Sequence, residues 1–472
     1  MRIVLIYPTI SKFERYSSSI GSSGGSQLPL GILYLAGYMR EHGHEVMAID
    51  GEANNLTTGQ VLDRIGSFAP QLVGISSSTV VFSRAVELAK EIKGLHPELT
   101  IVIGGPHVSS NPYLAMAFRE MDLGVMGEGE ETLLELVQVL ENQGDFSRVK
   151  GLVYRDGEEL HINHPRPYIS DLDQLPLPAY DMIPDLLLYA PPPCNYKKLP
   201  VVNIITSRGC PNQCTFCDKN VFGSRFRARS AVNIAGEIEH LFQQYGVREI
   251  AFVDDTFTVG KKRVYELFDL LKQRIISFPW TCMTHIKSVD SDLIKYMKAN
   301  GCWHVSLGIE SGDEQILRRI KKDISLDQVR RVVRWCREAG IKTKGFFIVG
   351  HPGETMETID KTIDFAVSLP LDDVVATINT PIPGSPQYQE TSQFGDLDES
   401  DWSQFNYWRP VFVPAGLTKE VLLEKHREFY RRFYVRPRIM ARYAASFFSS
   451  GGLRRALSLV RSVPFLFKRP SQ

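Results

Sequence analysis

The sequence lacks a long apolar run and an excess of charge of either sign. Its 472 residues contain 54 Lys and Arg against 54 Asp and Glu, so the chain as a whole gives no indication of a nucleic-acid partner. No apolar run approaches the ~18 residues of a membrane-spanning helix, and Ile3–Tyr7 is too short for the core of a signal peptide. We therefore expect a cytoplasmic protein, long enough for two or three domains.

Cysteine is absent from residues 1–193, and the seven cysteines that follow do not suggest pairs. Three of them lie within one loop, and the others are isolated (Cys194, Cys282, Cys302 and Cys336). Because this distribution is unlike a disulfide framework, it predicts a protein of a reducing compartment. The isolated thiols are expected to be small buried apolar side chains.

The grouped cysteines form the pattern C-x₃-C-x₂-C at Cys210, Cys214 and Cys217, directly after the apolar run Val201–Ile205. Three thiolates at this spacing suit three corners of a cubane iron–sulfur cluster and leave the fourth iron without a protein ligand. An open iron can bind a substrate or cofactor, so we expect these metal-binding cysteines to be catalytic. The alternative is a structural zinc site, which needs a fourth ligand, and no other Cys or His lies nearby.

This motif, with the aromatic Phe216 before its last cysteine, resembles the signature of the radical S-adenosylmethionine (SAM) enzymes. The resemblance implies a [4Fe–4S] cluster whose open iron is chelated by SAM, with Phe216 beside the cofactor. It also implies an external one-electron reductant of the flavodoxin or ferredoxin type, and cleavage of SAM to a 5′-deoxyadenosyl radical. The cysteine-free N-terminal half argues against the methylthiotransferase branch, which carries further cluster cysteines there.

Residues 1–142 alternate short apolar strands with amphipathic helices, which predicts a doubly wound, Rossmann-like α/β domain with a parallel sheet. The expected strands are Arg2–Tyr7, Glu45–Asp50, Leu72–Ser76, Thr100–Ile103 and Leu123–Met126. Ligands of such folds bind at the carboxyl ends of the strands. The candidate ligand-binding residues in those loops, many of them small, are Ser76, Ser77, Thr79, Gly104, Gly105, His107, Gly127, Glu128 and Gly129.

This domain resembles the cobalamin-binding domain that is fused to one large branch of radical SAM enzymes. The matching segments are Leu28–Gly31, Leu33–Leu35, Gly43–Val46, Gly104–His107 and Gly127–Glu130. The resemblance implies that the candidate loop residues contact cobalamin. The motif D-x-H-x-x-G, whose histidine ligates cobalt in many such domains, is missing, and His107 follows a Gly-Gly loop instead. The alternative is a flavodoxin-like domain that is structural or binds another nucleotide.

Residues 143–195 read as a proline-rich connector with a hairpin at 151–162, and residues 196–390 again alternate strands and helices. The expected strands are Val201–Ile205, Glu249–Val253, Trp280–Thr284, His304–Leu307, Thr343–Val349 and Val374–Asn379. This pattern predicts a partial (β/α)₆ barrel of the TIM type, in which the chemistry lies at the carboxyl ends of the strands. By resemblance, residues 196–390 are the radical SAM core.

Further candidate SAM-binding residues come from the same resemblance. Asp254 and Asp255 end the second barrel strand, where the family usually has Gly-Gly-Glu, and the other candidates are Glu310, Ser311, Ile348 and Thr380. The structural alternatives are a helix cap for the aspartates and a turn-forming acid for Glu310.

Residues 391–472 are expected to be a helical C-terminal region, with helices at Glu420–Tyr434 and Leu453–Val463. Between Lys419 and Gln472 there are thirteen Lys or Arg and three acids. Basic and aromatic amphipathic segments suit an anionic membrane surface, so one interpretation of the tail is peripheral membrane contact, with a small-molecule or lipid-like substrate. The alternative is an ordinary helical cap.

Together the motifs predict a radical SAM enzyme that uses cobalamin to methylate an unactivated carbon, with the cofactors supplying the difficult chemistry. Within the same branch, the alternative is radical oxidative cyclisation or rearrangement without methyl transfer, as in anaerobic porphyrin-ester cyclases. From another class, the alternative is a non-catalytic iron–sulfur or cobalamin-sensing protein.

Overall fold

The structure is a computed structural model that describes residues 1–16, 24–192 and 195–446, with side chains described as far as Ala441. The first sheet is built from β1 (Arg2–Tyr7), β2 (Glu45–Asp50), β3 (Leu72–Ser76), β4 (Thr100–Gly104), β5 (Leu123–Val125), β6 (Leu152–Asp156) and β7 (Glu159–Ile162). Their order is β2-β1-β3-β4-β5-β6-β7, with β1 to β5 parallel and the β6–β7 hairpin antiparallel. Strand order reverses between β1 and β3, where doubly wound sheets open a ligand crevice.

Helices cover both faces of this sheet. They are α1 (Lys12–Tyr16), α2 (Leu30–Glu41), α3 (Thr58–Phe68), α4 (Phe82–Leu95), α5 (Pro106–Ser110), α6 (Pro112–Ala115) and α7 (Glu130–Glu141). Side chains alternate along β1, so Val4 packs into one apolar core with Phe82 of α4, and Ile3 packs into the other with Met39 of α2. Burial on both faces explains why β1 is apolar from Ile3 to Ile6.

The second sheet is parallel and forms the predicted partial barrel. Its strands are β8 (Val201–Ile204), β11 (Glu249–Phe252), β12 (Trp280–Thr284), β13 (Cys302–Glu310), β14 (Lys342–Val349) and β15 (Asp373–Ile378), and a short ribbon of β9 (Ser207–Arg208) and β10 (Arg227–Ala228) follows β8. The order is β15-β14-β13-β12-β11-β8. The accompanying helices are α8 (Ala231–Tyr245), α9 (Lys261–Gln273), α10 (Ser291–Ala299), α11 (Glu314–Arg319), α12 (Leu326–Glu338) and α13 (Met356–Ser368).

The C-terminal region packs against the open side of the barrel. It contains α14 (Pro386–Glu390), β16 (Gly395–Leu397), β17 (Phe412–Pro414), α15 (Lys419–Tyr434) and α16 (Pro437–Ser446). Three side chains one turn apart on α15, those of His426, Tyr430 and Tyr434, hydrogen-bond the backbone of Val374 and Ala376 in the edge strand β15. The helix therefore covers the sheet edge.

Three expectations differ from the structure or lie outside it. The hairpin assigned to the connector joins the first sheet as β6 and β7, because β6 pairs with β5. The fourth barrel strand is longer than His304–Leu307, since buried Trp303 and Ile309 extend it at both ends. The helix expected at Leu453–Val463 lies outside the described residues. None of the described helices is long and apolar enough to cross a membrane.

Candidate active site

The loop between β9 and β10 carries the three grouped cysteines at the carboxyl end of the barrel. Gly209 begins it in the left-handed region with φ of 84°, and a side chain there would collide with the carbonyl oxygen of Arg225. The Cys210 N–H donates to the carbonyl of Gly223 across the loop at 3.3 Å. These contacts fold the loop back on itself after the first barrel strand, as the sequence predicts.

The three thiols lie near one another and differ in exposure. Cys214 is buried, Cys210 is half-buried and Cys217 is exposed. Burial raises the pKa of the Cys214 thiol, and the nearby Cys210 raises it further. Three neighbouring thiols on one loop fit a cubane cluster with one open iron.

Glu310 and Lys322 form a buried ion pair beside the cysteine loop. Lys322 Nζ donates to Glu310 Oε1 at 2.8 Å, and the ammonium lies 5.9 Å from the centre of the Phe216 ring. Glu310 has φ of 69° at a bulge in β13, and a side chain at Gly308 would come within 2.7 Å of Lys322 Nζ. Backbone strain at a bulge is common next to functional sites. Sequence reasoning missed Lys322, because Lys321-Lys322-Asp323 looks like a solvated charge run.

The two adjacent aspartates have different surroundings. Asp254 is fully buried, and its Oδ1 accepts from Thr206 N at 3.0 Å, from Thr206 Oγ1 at 2.8 Å and from the hydroxyl of Ser207. Burial raises the pKa of Asp254, and Arg263 opposes that shift. Asp255 is exposed. Of the two, Asp254 holds the start of the cysteine loop, whereas the Asp255 carboxylate is accessible to a ligand.

The remaining SAM-side candidates lie at neighbouring strand ends. Ser311 is buried and its hydroxyl lies 3.1 Å from that of Thr362, which fixes the turn after β13 against α13. Ile348 is half-buried in β14, and the Thr380 hydroxyl donates to the carbonyl of Ile378 at 3.2 Å. Their contacts with SAM stay predictions, with a structural role visible for Ser311 and Thr380.

The turn after β14 contains buried polar groups that sequence reasoning left unassigned. His351 is fully buried, with its ring centre 5.8 Å from that of Phe216. Glu354 Oε2 accepts the N–H groups of Gly350 and His351 at 2.5 and 3.0 Å. Burial lowers the pKa of His351 to about 3 and raises that of Glu354 to about 8. Both side chains are therefore neutral through much of the neutral pH range.

In the first sheet, the small residues after β3, β4 and β5 lie at the carboxyl edge, as predicted. Ser77 N donates to Gly104 O at 2.9 Å, and Gly105, with φ of 99°, lies so close to Ser77 that a side chain would come within 2.8 Å of the Ser77 carbonyl. A side chain built at Gly127 meets no atom within 4 Å. This combination of close loops and open backbone fits a large ligand.

His107 and Glu128, both candidates in these loops, are engaged within the protein. His107 is fully buried, with Nδ1 3.2 Å from Thr79 Oγ1 and its ring centre 4.2 Å from that of Phe82. Burial lowers the pKa of His107 to about 4. Both carboxylate oxygens of Glu128 accept hydrogen bonds from arginines of the barrel. Contact with a cofactor at Glu128 would therefore use its backbone.

The two predicted cofactor regions meet directly. The hydroxyl of Ser110, at the end of α5 after β4, donates to Asp218 Oδ2, and Asp218 follows Cys217. Asn220 Nδ2 reaches the carbonyl of Gly384 at 3.4 Å, in the loop beyond the last barrel strand. The cysteine loop thus contacts both the loop after β4 and the loop after β15.

Comparisons with known proteins match both halves of the chain. The model of the radical SAM superfamily matches residues 204–366, and that of the B12 binding domain matches residues 17–137. An uncharacterised methyltransferase of Pyrococcus horikoshii is 35% identical, over 93% of this chain and 94% of that protein. The anaerobic magnesium-protoporphyrin IX monomethyl ester cyclase of Rubrivivax gelatinosus is 29% identical, over 92% of this chain and 78% of the cyclase.

A solved structure has the same fold. The cobalamin-dependent SAM radical enzyme OxsB, with aqua-cobalamin and SAM bound, superposes with a TM-score of 0.74 at 17% identity, over 98% of this chain and 71% of that chain. This likeness confirms the arrangement of a Rossmann-like domain followed by a partial barrel.

Proposed function

The chain belongs to the radical SAM enzymes that carry a B12-binding domain, and from this membership we propose that it methylates an unactivated carbon of a small molecule. It is an enzyme whose cofactors are a [4Fe–4S] cluster, SAM and cobalamin. When bound, the reduced cluster would supply the electron that cleaves one SAM to a 5′-deoxyadenosyl radical, and cobalamin would supply a methyl group that it takes from a second SAM. An external one-electron donor must reduce the cluster.

The observation that carries this proposal is the contact between the two predicted cofactor regions. Ser110 of the first domain donates to Asp218, the residue after Cys217. A methyl donor held by the first domain and a radical formed at the barrel would then face the same substrate, as methyl transfer to a carbon radical requires.

The residues near the cysteine loop have distinct roles in this proposal. Cys210, Cys214 and Cys217 hold the cluster, and Asp254 fixes the strand end from which their loop starts. Asp255 binds the amino group of SAM. The buried ion pair of Glu310 and Lys322 orients the strand end beside Phe216. The Gln387 N–H donates to Thr215 O at 2.8 Å, so α14 packs against the cysteine loop and holds it in place.

Reconstitution under anaerobic conditions tests the proposal. The protein is loaded with iron, sulfide and hydroxocobalamin, reduced with dithionite and given SAM carrying a deuterated methyl group together with a small-molecule extract. We expect 5′-deoxyadenosine, one bound cobalamin and transfer of the deuterated methyl to an extract component. Cys214→Ala should abolish 5′-deoxyadenosine formation, and turnover that survives this change refutes the assignment.

A second candidate function is oxidative cyclisation without methyl transfer, which the similarity to the Rubrivivax gelatinosus cyclase favours. The same experiment separates the two, because a cyclase would form 5′-deoxyadenosine and an oxidised product without deuterium. Contact of the basic C-terminal segment with membranes, and a lipid-like substrate, stay predictions, since much of that segment lies beyond residue 446.

A further inference from the structure

Two arginines at the base of the cysteine loop converge on the loop that follows β5 in the first domain. Arg208 in β9 lies two residues before Cys210, and Arg227 in β10 lies directly opposite it in the ribbon. Opposed residues of an antiparallel pair project from the same face. Both guanidinium groups therefore reach the same carboxylate, that of Glu128.

The contacts form a continuous buried set, here called the carboxylate clamp (Glu128, Glu130, Arg208 and Arg227). Glu128 Oε1 accepts from Arg208 Nη1 at 2.8 Å and from Arg227 Nη1 at 2.9 Å. Glu128 Oε2 accepts from Arg227 Nη1 and from Ile169 N, each at 2.8 Å. Glu130 Oε1 accepts from Arg208 Nη2 at 2.5 Å. No side chain of the four is more than 5% exposed.

The clamp also holds the far side of the cysteine loop. Arg227 Nη2 donates to the carbonyl of Phe222 at 3.0 Å, and the Arg208 guanidinium lies 5.2 Å from the centre of the Phe222 ring. Two acids and two arginines balance in charge. Removing one member would leave a buried charge without its partner, which is far more costly than the pair is stabilising. The position of the cysteine loop therefore depends on the arginines of the barrel and on the carboxylates of the first domain.

The clamp lies between two regions that bind different cofactors. Gly127 and Gly129, on either side of Glu128, are predicted cobalamin contacts, and Arg208 precedes the first cluster ligand by two residues. A cofactor that orders the loop after β5 fixes Glu128, on which Arg208 and Arg227 depend. A cofactor that orders the cysteine loop fixes the two arginines, on which Glu128 depends. Coupling between two sites is reciprocal, so the factor by which the cluster tightens cobalamin equals the factor by which cobalamin tightens the cluster.

We propose that the carboxylate clamp couples the binding of cobalamin to the assembly of the iron–sulfur cluster, so that each cofactor favours the loading of the other. This inference rests on the proposed function in requiring that both cofactors bind. It assigns Glu128 and Arg208 as positioning residues, which act through the two loops and need not touch either cofactor.

The test measures hydroxocobalamin affinity by absorbance titration of the full-length protein, with and without the reconstituted cluster. For the wild type we expect the cluster to tighten binding about tenfold, within the usual range for coupled sites. Glu128→Gln keeps the shape and loses the charge, and should bring this ratio close to one. Glu158→Gln is the matched control. Glu158 lies in the turn between β6 and β7 and forms an exposed ion pair with Arg119, away from the clamp, so this variant should keep the wild-type ratio.

A second measurement needs no cofactor. Amide exchange of residues 209–226 in the cofactor-free protein should be faster in Glu128→Gln than in the wild type, and unchanged in Glu158→Gln. If Glu128→Gln does not fold, as judged by circular dichroism, Glu130→Gln replaces it. Glu130 accepts one hydrogen bond in the clamp, so this variant should give a ratio of cobalamin affinities between one and the wild-type value.

A wild-type ratio of one, or a wild-type ratio retained in the folded clamp variant, overturns the coupling. Those results differ from failure of the proposed function, in which the wild type would bind no cobalamin or form no 5′-deoxyadenosine. Absence of cobalamin binding overturns both.

Discussion

The adjacent residues Asp254 and Asp255 have the same side chain and different roles. The carboxylate of Asp254 satisfies Thr206 and Ser207 at the start of the cysteine loop, whereas Asp255 is exposed. Asp254→Ala should therefore destabilise the protein by about 3 kcal/mol, since it removes the buried acceptor of the Thr206 and Ser207 groups and the carboxylate that opposes the charge of Arg263. Denaturant unfolding measures this change, and cluster content after reconstitution should fall with it.

Asp255→Ala provides the comparison at the next position. Its free energy of unfolding should stay within about 0.5 kcal/mol of the wild type, as for exposed positions in general. Its affinity for SAM should fall about tenfold, equal to ~1.4 kcal/mol. Equal losses of stability in the two variants would contradict this division of roles.

Glu354 makes the stability of the protein depend on pH. Burial raises its pKa to about 8, above its usual value in an unfolded chain. Between these two values the unfolded chain has lost a proton that the folded protein keeps, so stability from this residue falls as pH rises. The slope is at most about 1.4 kcal/mol per pH unit and ends above about pH 8.

Glu354→Gln keeps an acceptor for the N–H groups of Gly350 and His351 and removes the titration. The variant should therefore become more stable relative to the wild type as pH rises from about 5 to about 8. Unfolding by urea at several pH values measures the difference. Glu357→Gln, on the exposed face of α13, is the control. A difference between Glu354→Gln and the wild type that is independent of pH would show that Glu354 is already charged.

At the scale of elements, α15 completes the barrel. The Tyr430 hydroxyl donates to Ala376 O at 2.9 Å and accepts from Ala376 N at 3.0 Å, which satisfies the open edge of β15. Tyr430→Phe should cost about 2 kcal/mol, because it leaves the buried N–H of Ala376 without that acceptor. Thermal unfolding measures the loss. Tyr113→Phe, an exposed tyrosine on α6, should have little effect, and an equal effect of both changes would argue against an edge-covering role.

The sequence predicts elements well where burial leaves a local pattern. Leu72–Ser76 is apolar because helices cover both faces of its sheet, whereas Trp280–Thr284 alternates because Trp280 and Cys282 face the apolar core of the barrel; both strands lie where expected. The cysteine loop has a fixed spacing that any reading of the sequence can find. The ion pairs of Glu128 and Lys322 have no such signal, because Arg208 and Arg227 lie 80 and 99 residues from Glu128, and Glu310 meets Lys322 only through the fold of the turn after β13. The edge-covering role of α15 likewise depends on a strand 50 residues earlier in the chain.

At the scale of the whole molecule, the two domains are joined by polar contacts that are buried. Leu28 N donates to Asn203 Oδ1 at 2.9 Å, Arg229 Nη1 donates to Tyr34 OH at 3.2 Å, and the carboxylate clamp adds its ion pairs. Salt screens buried pairs much less than exposed pairs. The interface should therefore resist salt.

We accordingly expect the domains to unfold together. All five tryptophans lie between Trp280 and Trp408, and one of them, Trp402, packs against His107 of the first domain. In a Trp402→Phe background, tryptophan fluorescence therefore reports on the barrel and the C-terminal region, whereas circular dichroism reports on the whole chain. Because unfolding either domain would expose the unpaired charges of the other, the two signals should change at one temperature in both about 0.1 M and about 1 M NaCl.

Glu128→Ala should lower that temperature and separate the two transitions. Separate transitions in the wild type would mean that the interface stabilises neither domain, and a split only at high salt would mean that water reaches the ion pairs.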